Sequence, residues 1–330
     1  MAASLGRSAA DRVRPFVLEH RAEVAITGSL VVLCVALTFL SPYFLTAGNI
    51  KNLIDQSTVI GIIAAGELMV ILTGGIDLSV GAIMAISGVV LGTVIVDSGL
   101  PAEIAIPVGI LAALATGTLV GLANGALVGK ARLAPFIVTL GSMAICRGLS
   151  YVLSDVKSIV GFPQAFNAIA SDTTFFGIPN FVLFLFGTYI VFGLLLARTK
   201  VGRFIYSIGS NEEATRLSGV NVALFKALPY VLCGFLCGLA VIVRTSRLMA
   251  VEPNLGTGME LDAIAACVVG GASLMGGKGT MFGTFIGVLL IAVLRNGLNL
   301  LGVSPYWQMA AVGSIIILSV LTERLTRERS

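Results

Sequence analysis

The stretch IAIPVGILAALATGTLVGLANGALVG, residues 104–129, runs for 26 residues without a charge. Wound as an α-helix at 1.5 Å per residue it would be about 39 Å long, more than the ~30 Å hydrocarbon layer of a bilayer. Its apolar residues are continuous and do not alternate with polar ones, which argues against a strand of a membrane barrel. The stretch therefore reads as a helix that crosses a membrane. The rest of the chain has the same character. Of its 330 residues 57% are hydrophobic and only 12% charged, half the roughly 25% of a soluble domain. So few charges cannot cover a water-facing surface of this size.

Working outward from that stretch, apolar runs predict ten spans, at 24–40, 57–73, 78–96, 104–129, 136–153, 181–197, 229–246, 262–276, 279–298 and 306–322. The runs at 78–96, 262–276 and 279–298 are divided by glycine-rich joints and not by clear loops, so eight or nine spans also fit. The predicted fold is an all-α polytopic helical bundle. It has one membrane domain over 24–322, an N-terminal segment 1–23 and a tail 323–330. The first run has no small-residue cleavage site soon after it and is read as a retained helix. Lys and Arg accumulate on the cytoplasmic side of membrane proteins. With the N-terminus inside, 15 of the 21 Lys and Arg fall inside, five of them in loop 198–228. Lys51, Arg147, Lys157, Arg244, Arg247 and Arg295 fall at outer ends. This bias predicts cytoplasmic termini, a cytoplasmic loop 198–228, and outward loops 154–180 and 247–261.

The residue inventory excludes several kinds of chemistry. Cys34, Cys146, Cys233, Cys237 and Cys267 lie in apolar runs without a C-x-x-C pair and read as small packing residues. His20 is the single histidine. No metal site, cofactor site, nucleic-acid surface or nucleophile–base pair is expected, so the chain is not read as an enzyme. LMGGKGT (274–280) resembles a phosphate loop but fails its pattern, because Ala272 replaces the first glycine and Gly279 follows the lysine. Gly270, Gly271, Gly276 and Gly277 read instead as a tight joint between spans. A second joint contains Gly74, Gly75, Asp77 and Ser79, where Asp77 can cap the following helix through the N–H of Ser79 or Val80. Irregular backbone at membrane depth is tolerated only inside protein or beside water, so capping and solute contact both fit.

Glu67 lies inside a span, where a charge costs roughly 2.5–3.5 kcal/mol on insertion scales. It can pair with a base, carry a proton or line a route. Asn124, Thr139, Ser142, Asn296, Asn299 and Gln308 place further polar groups within or near spans, and the first five, with Glu67, are read as candidates for a substrate pathway. Helix–helix hydrogen bonding is the plainer role for each.

One polar stretch stands out, GSNEEATRLSGV (209–220). Ser210 and Glu213 fit a capping box, S-x-x-E, and Gly219 suits the residue after a helix end. Two turns of helix are marginal alone in water, so the stretch is either a solvated connector or an element that rests on something.

GSNEEATRLSGVNV resembles the cytoplasmic coupling segment of permeases in ribose-type monosaccharide ABC importers. ILTGGIDLSVGAIMAISG (71–88), GTGMELDAIAACVVGGASLMGGKGT (256–280) and NGLNLLGVSPYWQ (296–308) resemble three further segments of that family, in the same order. The similarity extends from about residue 40 to 322. It implies a type II importer-like membrane domain, an ABC-type ATPase subunit on the cytoplasmic side, and a sugar-binding protein outside. It also implies a second permease subunit, as a homodimer or a close heterodimer. The coupling helix would comprise Ser210, Asn211, Glu212, Glu213, Ala214, Thr215, Arg216, Leu217, Ser218 and Gly219. Asn211, Glu212, Thr215 and Arg216 would make polar contacts, with Ala214 and Leu217 as the apolar anchor. Two positions depart from the family pattern: Glu67, where a neutral residue is expected, and Val241, where relatives commonly carry glycine. The resemblance implies import of a pentose, hexose or related polyol across a bacterial cell (inner) membrane. Two rivals remain: a proton-driven transporter using Glu67, and an ABC permease for another solute such as a branched-chain amino acid.

Overall fold

A computed structural model describes residues 21–175 and 177–327. The expected segment 1–23 lies outside the described residues except for 21–23, and of the expected tail 323–330 residues 328–330 lie outside. Eight helices among the described residues are long and apolar enough to cross a membrane. They are α1 (Arg21–Leu40), α2 (Ala47–Leu72), α3 (Val80–Gly92, continued by a wider π-turn to Asp97), α4 (Ala102–Gly125, continued likewise to Lys130), α5 (Pro135–Leu153), α7 (Asn180–Arg198), α10 (Val222–Leu248) and α12 (Met281–Leu300). Shorter helices are α6 (Gln164–Ser171), α8 (Lys200–Ser210), α9 (Glu212–Leu217) and α11 (Met259–Val269). The last helix, α13 (Pro305–Arg327), carries an apolar part from Pro305 to Leu321.

Helix α2 is the centre of the bundle. Every residue from Ser57 to Leu72 is buried, as befits a helix that is apolar all round. α10, α12, α7 and α11 pack against it. The opening stretch, α4, lies against α10. Its buried residues Ala105, Gly109, Ala113, Gly117, Gly121 and Gly125 recur every fourth position, so they form one stripe along the helix. A Cβ at Gly117 would strike the carbonyl of Gly234, and one at Gly121 the carbonyl of Tyr230. Where lipid is as apolar as the side chains, close backbone approach of this kind holds helices together through van der Waals contact.

Two ends of the bundle can be told apart by their contacts. At one end, β1 (Ile159–Val160) pairs antiparallel with β4 (Ala250–Val251). Next to it α6 is tied to the end of α10. Ser246 Oγ donates to the Phe166 carbonyl (2.7 Å) and accepts from the Ala170 N–H (3.1 Å), while Asn167 Nδ2 donates to the Ser246 carbonyl (2.8 Å). The strands β2 (Thr173–Phe175) and β3 (Ile178–Pro179) complete this sheet end. At the other end, the joint end, the Gly277 N–H donates to the Leu72 carbonyl (2.9 Å).

The run expected to span at 262–276 is corrected. It forms α11, a helix of 11 residues, about 16 Å long and roughly half a bilayer. The physical cause is the glycine pair that follows it. Gly271 takes φ +90°, a conformation open to glycine, and the chain turns there. The Ser273 N–H then donates to the Lys278 carbonyl (2.9 Å) and the Gly276 N–H to the Ser273 carbonyl (3.0 Å), which closes a tight turn. Before α11, residues 252–258 run as successive turns, with Leu255 N–H bonded to Glu252 O (3.0 Å) and Met259 N–H to Gly256 O (3.0 Å).

The depth of these turns follows from helix α3. Gly92 of α3 meets Ile159 at the sheet end, Gly88 meets Val251, and Gly81 meets the backbone of Gly256. Gly92 and Gly81 are eleven residues apart, about 16 Å along a helix. Gly256 therefore lies about half a bilayer below the sheet end, and α11 covers the remaining distance to the joint end.

Candidate functional site

Helix α9 occupies the polar stretch 209–220, but its cap differs from the expectation. Ser210 ends α8. Asn211, with extended backbone, is the N-cap of α9, and its Oδ1 accepts from the Ala214 N–H at 2.9 Å. Asn is at least as good an N-cap as Ser, and a helix already closing at Ser210 leaves the next residue as the start of the new one. Glu213, freed from a capping box, accepts from Arg216 Nη2 at 2.6 and 2.5 Å. That hydrogen bond and the nearby carboxylate charge hold the Arg216 guanidinium above its ordinary pKa. Glu212 pairs with Lys226 (2.7 Å). Gly219 follows the helix end at φ +81°. Thr215 faces inward: it is buried, and its hydroxyl donates to the Asn211 carbonyl (2.8 Å). The polar contact expected of Thr215 is thereby corrected, because the side chain is not on the outer face.

Leu217 is 79% exposed on this otherwise polar helix. Ala214, one turn before it, is also exposed. The two lie at i and i+3 and share one face.

Behind α9, helix α8 fastens it to the membrane bundle. Gly202, Ile205 and Ile208 are the buried face of α8, a spacing of three that marks an amphipathic helix. Tyr206 Oη donates to the Gly279 carbonyl (2.8 Å), and burial pushes its phenol pKa up, so it stays a donor. Gly209 sits so close to Leu72 O and Gly277 N that a Cβ there would overlap both. Gly276 and Gly277, at φ +87° and +72°, pack back on Gly209 and Ser210. The end of α2, the 270–280 joint and the base of α9 thus meet in one backbone-to-backbone junction. Tyr206 and Gly209 were not among the residues singled out from the sequence, although the 202–205–208 pattern was there to be read.

The polar residues proposed for a solute route divide into three groups. Glu67 and Asp77 are fully buried, and the Asp77 N–H donates to Glu67 Oε1 (3.0 Å). Asp77 Oδ1 accepts from the Ser79 N–H (2.9 Å) and from Ser79 Oγ (2.5 Å). Asn124 Nδ2 donates to Ser79 Oγ (3.0 Å), and Ser142 Oγ donates to Asn124 Oδ1. Asp77 and Ser79 of the structural joint and Glu67, Asn124 and Ser142 of the route are therefore one chain of hydrogen bonds, from α2 through the 73–79 turn to α4 and α5. Thr139 lies beside it, its Oγ1 3.0 Å from the Pro135 carbonyl and 3.2 Å from that of Ile76. Asn296 exchanges two hydrogen bonds with Asn49 (2.7 and 2.9 Å) and closes α2 on α12. Asn299 accepts from Gln308 Nε2 (2.7 Å) and links α12 to α13. Of the six route residues, Asn299 is exposed and Ser142 half-buried; the other four are buried. Val241, the other departure, is buried against Gly88, whose lack of a side chain makes room for it.

Gly74 and Gly75 lie in the turn that follows α2, where the Gly74 N–H donates to the Ile71 carbonyl (2.8 Å). Gly270 ends α11 and packs on the backbone of Gly283. Among the described residues no group of three or more His, Cys, Asp or Glu side chains is placed to hold a metal ion.

Residues 49–320 match the family described as branched-chain amino acid transport system / permease component. The chain is 41% identical to the ribose import permease protein RbsC of Escherichia coli K12, over 94% of this chain and 95% of that one. It is 44% identical to RbsC of Bacillus subtilis 168, over 89% and 90%. To the D-allose transport system permease protein AlsC of E. coli K12 it is 40% identical, over 92% and 88%. No solved structure matches the chain. The alignments cover 88–95% of each of these three relatives. The chain belongs to the ribose-type sugar ABC importer permeases, multi-pass proteins of the bacterial cell (inner) membrane that are not themselves enzymes and whose ATP hydrolysis resides in a partner subunit.

Proposed function

We propose that this chain forms the membrane passage of an ATP-driven importer for a monosaccharide such as ribose or allose. It acts as a homodimer with two ATPase subunits bound to α9 on the cytoplasmic side. A sugar-binding protein delivers the solute at the sheet end, on loop 154–180 and residues 247–251, the inner part of the expected loop 247–261 running down into the bundle. The joint end, loop 198–228 and both termini are cytoplasmic. The observation that carries the coupling role is Leu217. A leucine 79% exposed on a helix outside the spans is explained by a partner that covers it. The charged neighbours Glu212, Glu213 and Arg216 are already paired within the chain, so the apolar face of Ala214 and Leu217 is what α9 offers. Closure of the ATPase pair would push α9, and α8 would carry the displacement into the joint through Gly209 and Tyr206.

The test is capture of the ATPase by Leu217→Asp at matched membrane level. A docked partner would have to bury an unpaired carboxylate. A penalty of about 3 kcal/mol for such a charge corresponds to about a hundredfold in affinity. The expected outcome is normal insertion, little co-purified ATPase and no sugar-stimulated ATP hydrolysis. Unchanged capture and uptake would mean that α9 is a solvated connector.

A further inference from the structure

The turns at 252–258 present an alternating surface that runs from the sheet end at Val251 to mid-bundle at Gly256. Val251, Pro253, Leu255 and Gly256 are buried, while Glu252, Asn254 and Thr257 between them are exposed. Arg147 of α5 reaches the same segment. Its Nη1 donates to the Leu255 carbonyl (2.7 Å) and lies 3.3 Å from that of Pro253. The other guanidinium N–H groups, the Asn254 amide and the Glu252 carboxylate make no hydrogen bond to the described residues. Thr257 Oγ1 donates to the Asn254 carbonyl (2.6 Å) and keeps its acceptor lone pairs.

Irregular backbone at this depth persists only where protein covers it or water bathes it. An exposed carboxylate and a guanidinium with free N–H groups do not face hydrocarbon. We infer that Arg147, Glu252, Asn254 and Thr257 line the water-filled passage between the sheet end and half depth and bind the hydroxyls of a neutral polyol as it crosses. This rests on the importer reading above and adds the contact residues to it. Donors and acceptors are mixed, and the charges balance, Arg147 near Glu260 and Arg244 near Glu252, so the surface favours neither anions nor cations. Hydroxyl groups, which donate and accept at once, match such a surface. None of the four was singled out as a route residue from the sequence.

The experiment uses the full permease–ATPase complex in membrane vesicles. Asn254→Cys, Thr257→Cys and Phe186→Cys, the last replacing an exposed phenylalanine on the apolar helix α7, are treated with a trimethylammonium methanethiosulfonate reagent. Labelling of the unsubstituted protein is subtracted. Positions 254 and 257 are expected to react at least tenfold faster than 186. Rates as slow as at 186 would place the segment against lipid and overturn the inference. So would oxidative cross-linking of 254 or 257 between two copies without labelling, because a second permease would then cover the face.

Labelling needs no sugar, so this result stands apart from the ATPase capture that tests the importer reading. For the hydroxyl contacts, Asn254→Ala with Thr257→Val is expected to lower ribose or allose uptake at least fivefold while ATPase capture stays normal. Uptake unchanged from the parent protein would remove the contact role.

Discussion

Glu67 is held by one donor, the Asp77 N–H at 3.0 Å, and that single bond sets what substitution should do. Glu67→Gln keeps an oxygen in the same place and is expected to retain most of the uptake. Glu67→Leu leaves a buried N–H without an acceptor, which costs about 1–3 kcal/mol, and should lower the thermal midpoint of the purified complex. Uptake and thermal unfolding of the two variants check this. Failure of Gln with activity in Glu67→Asp, and collapse of uptake by an uncoupler at constant ATP, would favour a proton carrier instead. The sequence showed that Glu67 was unusual, because a charge in an apolar run is visible. Its partner was not legible, since Asp77 approaches only when the 73–79 turn folds back along α2. The same limit applies to Ser79, Asn124 and Ser142, which stand on three different segments. They were recognised as polar groups near spans, yet their bonding to one another is a product of packing.

At the level of elements, α8 joins α9 to the bundle, and Gly209 is where it meets the end of α2 and the 270–280 joint. A methyl group at Gly209 would overlap the Leu72 carbonyl and the Gly277 N–H. Gly209→Ala is therefore expected to push α8 away from the joint without changing the outer face of α9. ATPase capture should stay near the parent level, while stimulation of ATP hydrolysis by the sugar-loaded binding protein falls at least tenfold. An ATPase assay on the reconstituted complex checks this, and undiminished stimulation would show that the junction transmits nothing. Element type was legible wherever a run was long and apolar, as in α4. Element ends were less so, because Ser210 and Asn211 are both good caps and their choice depends on where α8 stops. The four-residue glycine period of α4 was present in the sequence. It gained meaning only with α10 beside it, because a stripe of small residues does not say which helix it meets.

For the molecule as a whole, the contacts define two ends, and the charge bias predicts which side of the membrane each one faces. The sheet end gathers 154–180 and 247–251, while the joint end gathers 72–75, 209–210 and 270–280. Cysteines at Ser171 and Ser218 should thus label from opposite faces of sealed vesicles, Ser218 from the cytoplasmic face. Labelling of both from outside with an impermeant reagent would overturn the orientation.

The sequence by itself determined that this is a helical membrane protein, because hydrocarbon demands long uncharged runs and these can be counted along the chain. It also carried the family motifs, which are local strings. Tertiary structure alone decided that the run at 262–276 yields only the 11-residue helix α11, that the polar residues of the spans bind one another, and that an exposed polar wall runs inward from the sheet end on residues 252–257. Each of these depends on which backbone lies opposite which at close range. Hydropathy reports the solvent a residue prefers, and it is silent about the neighbour that residue meets.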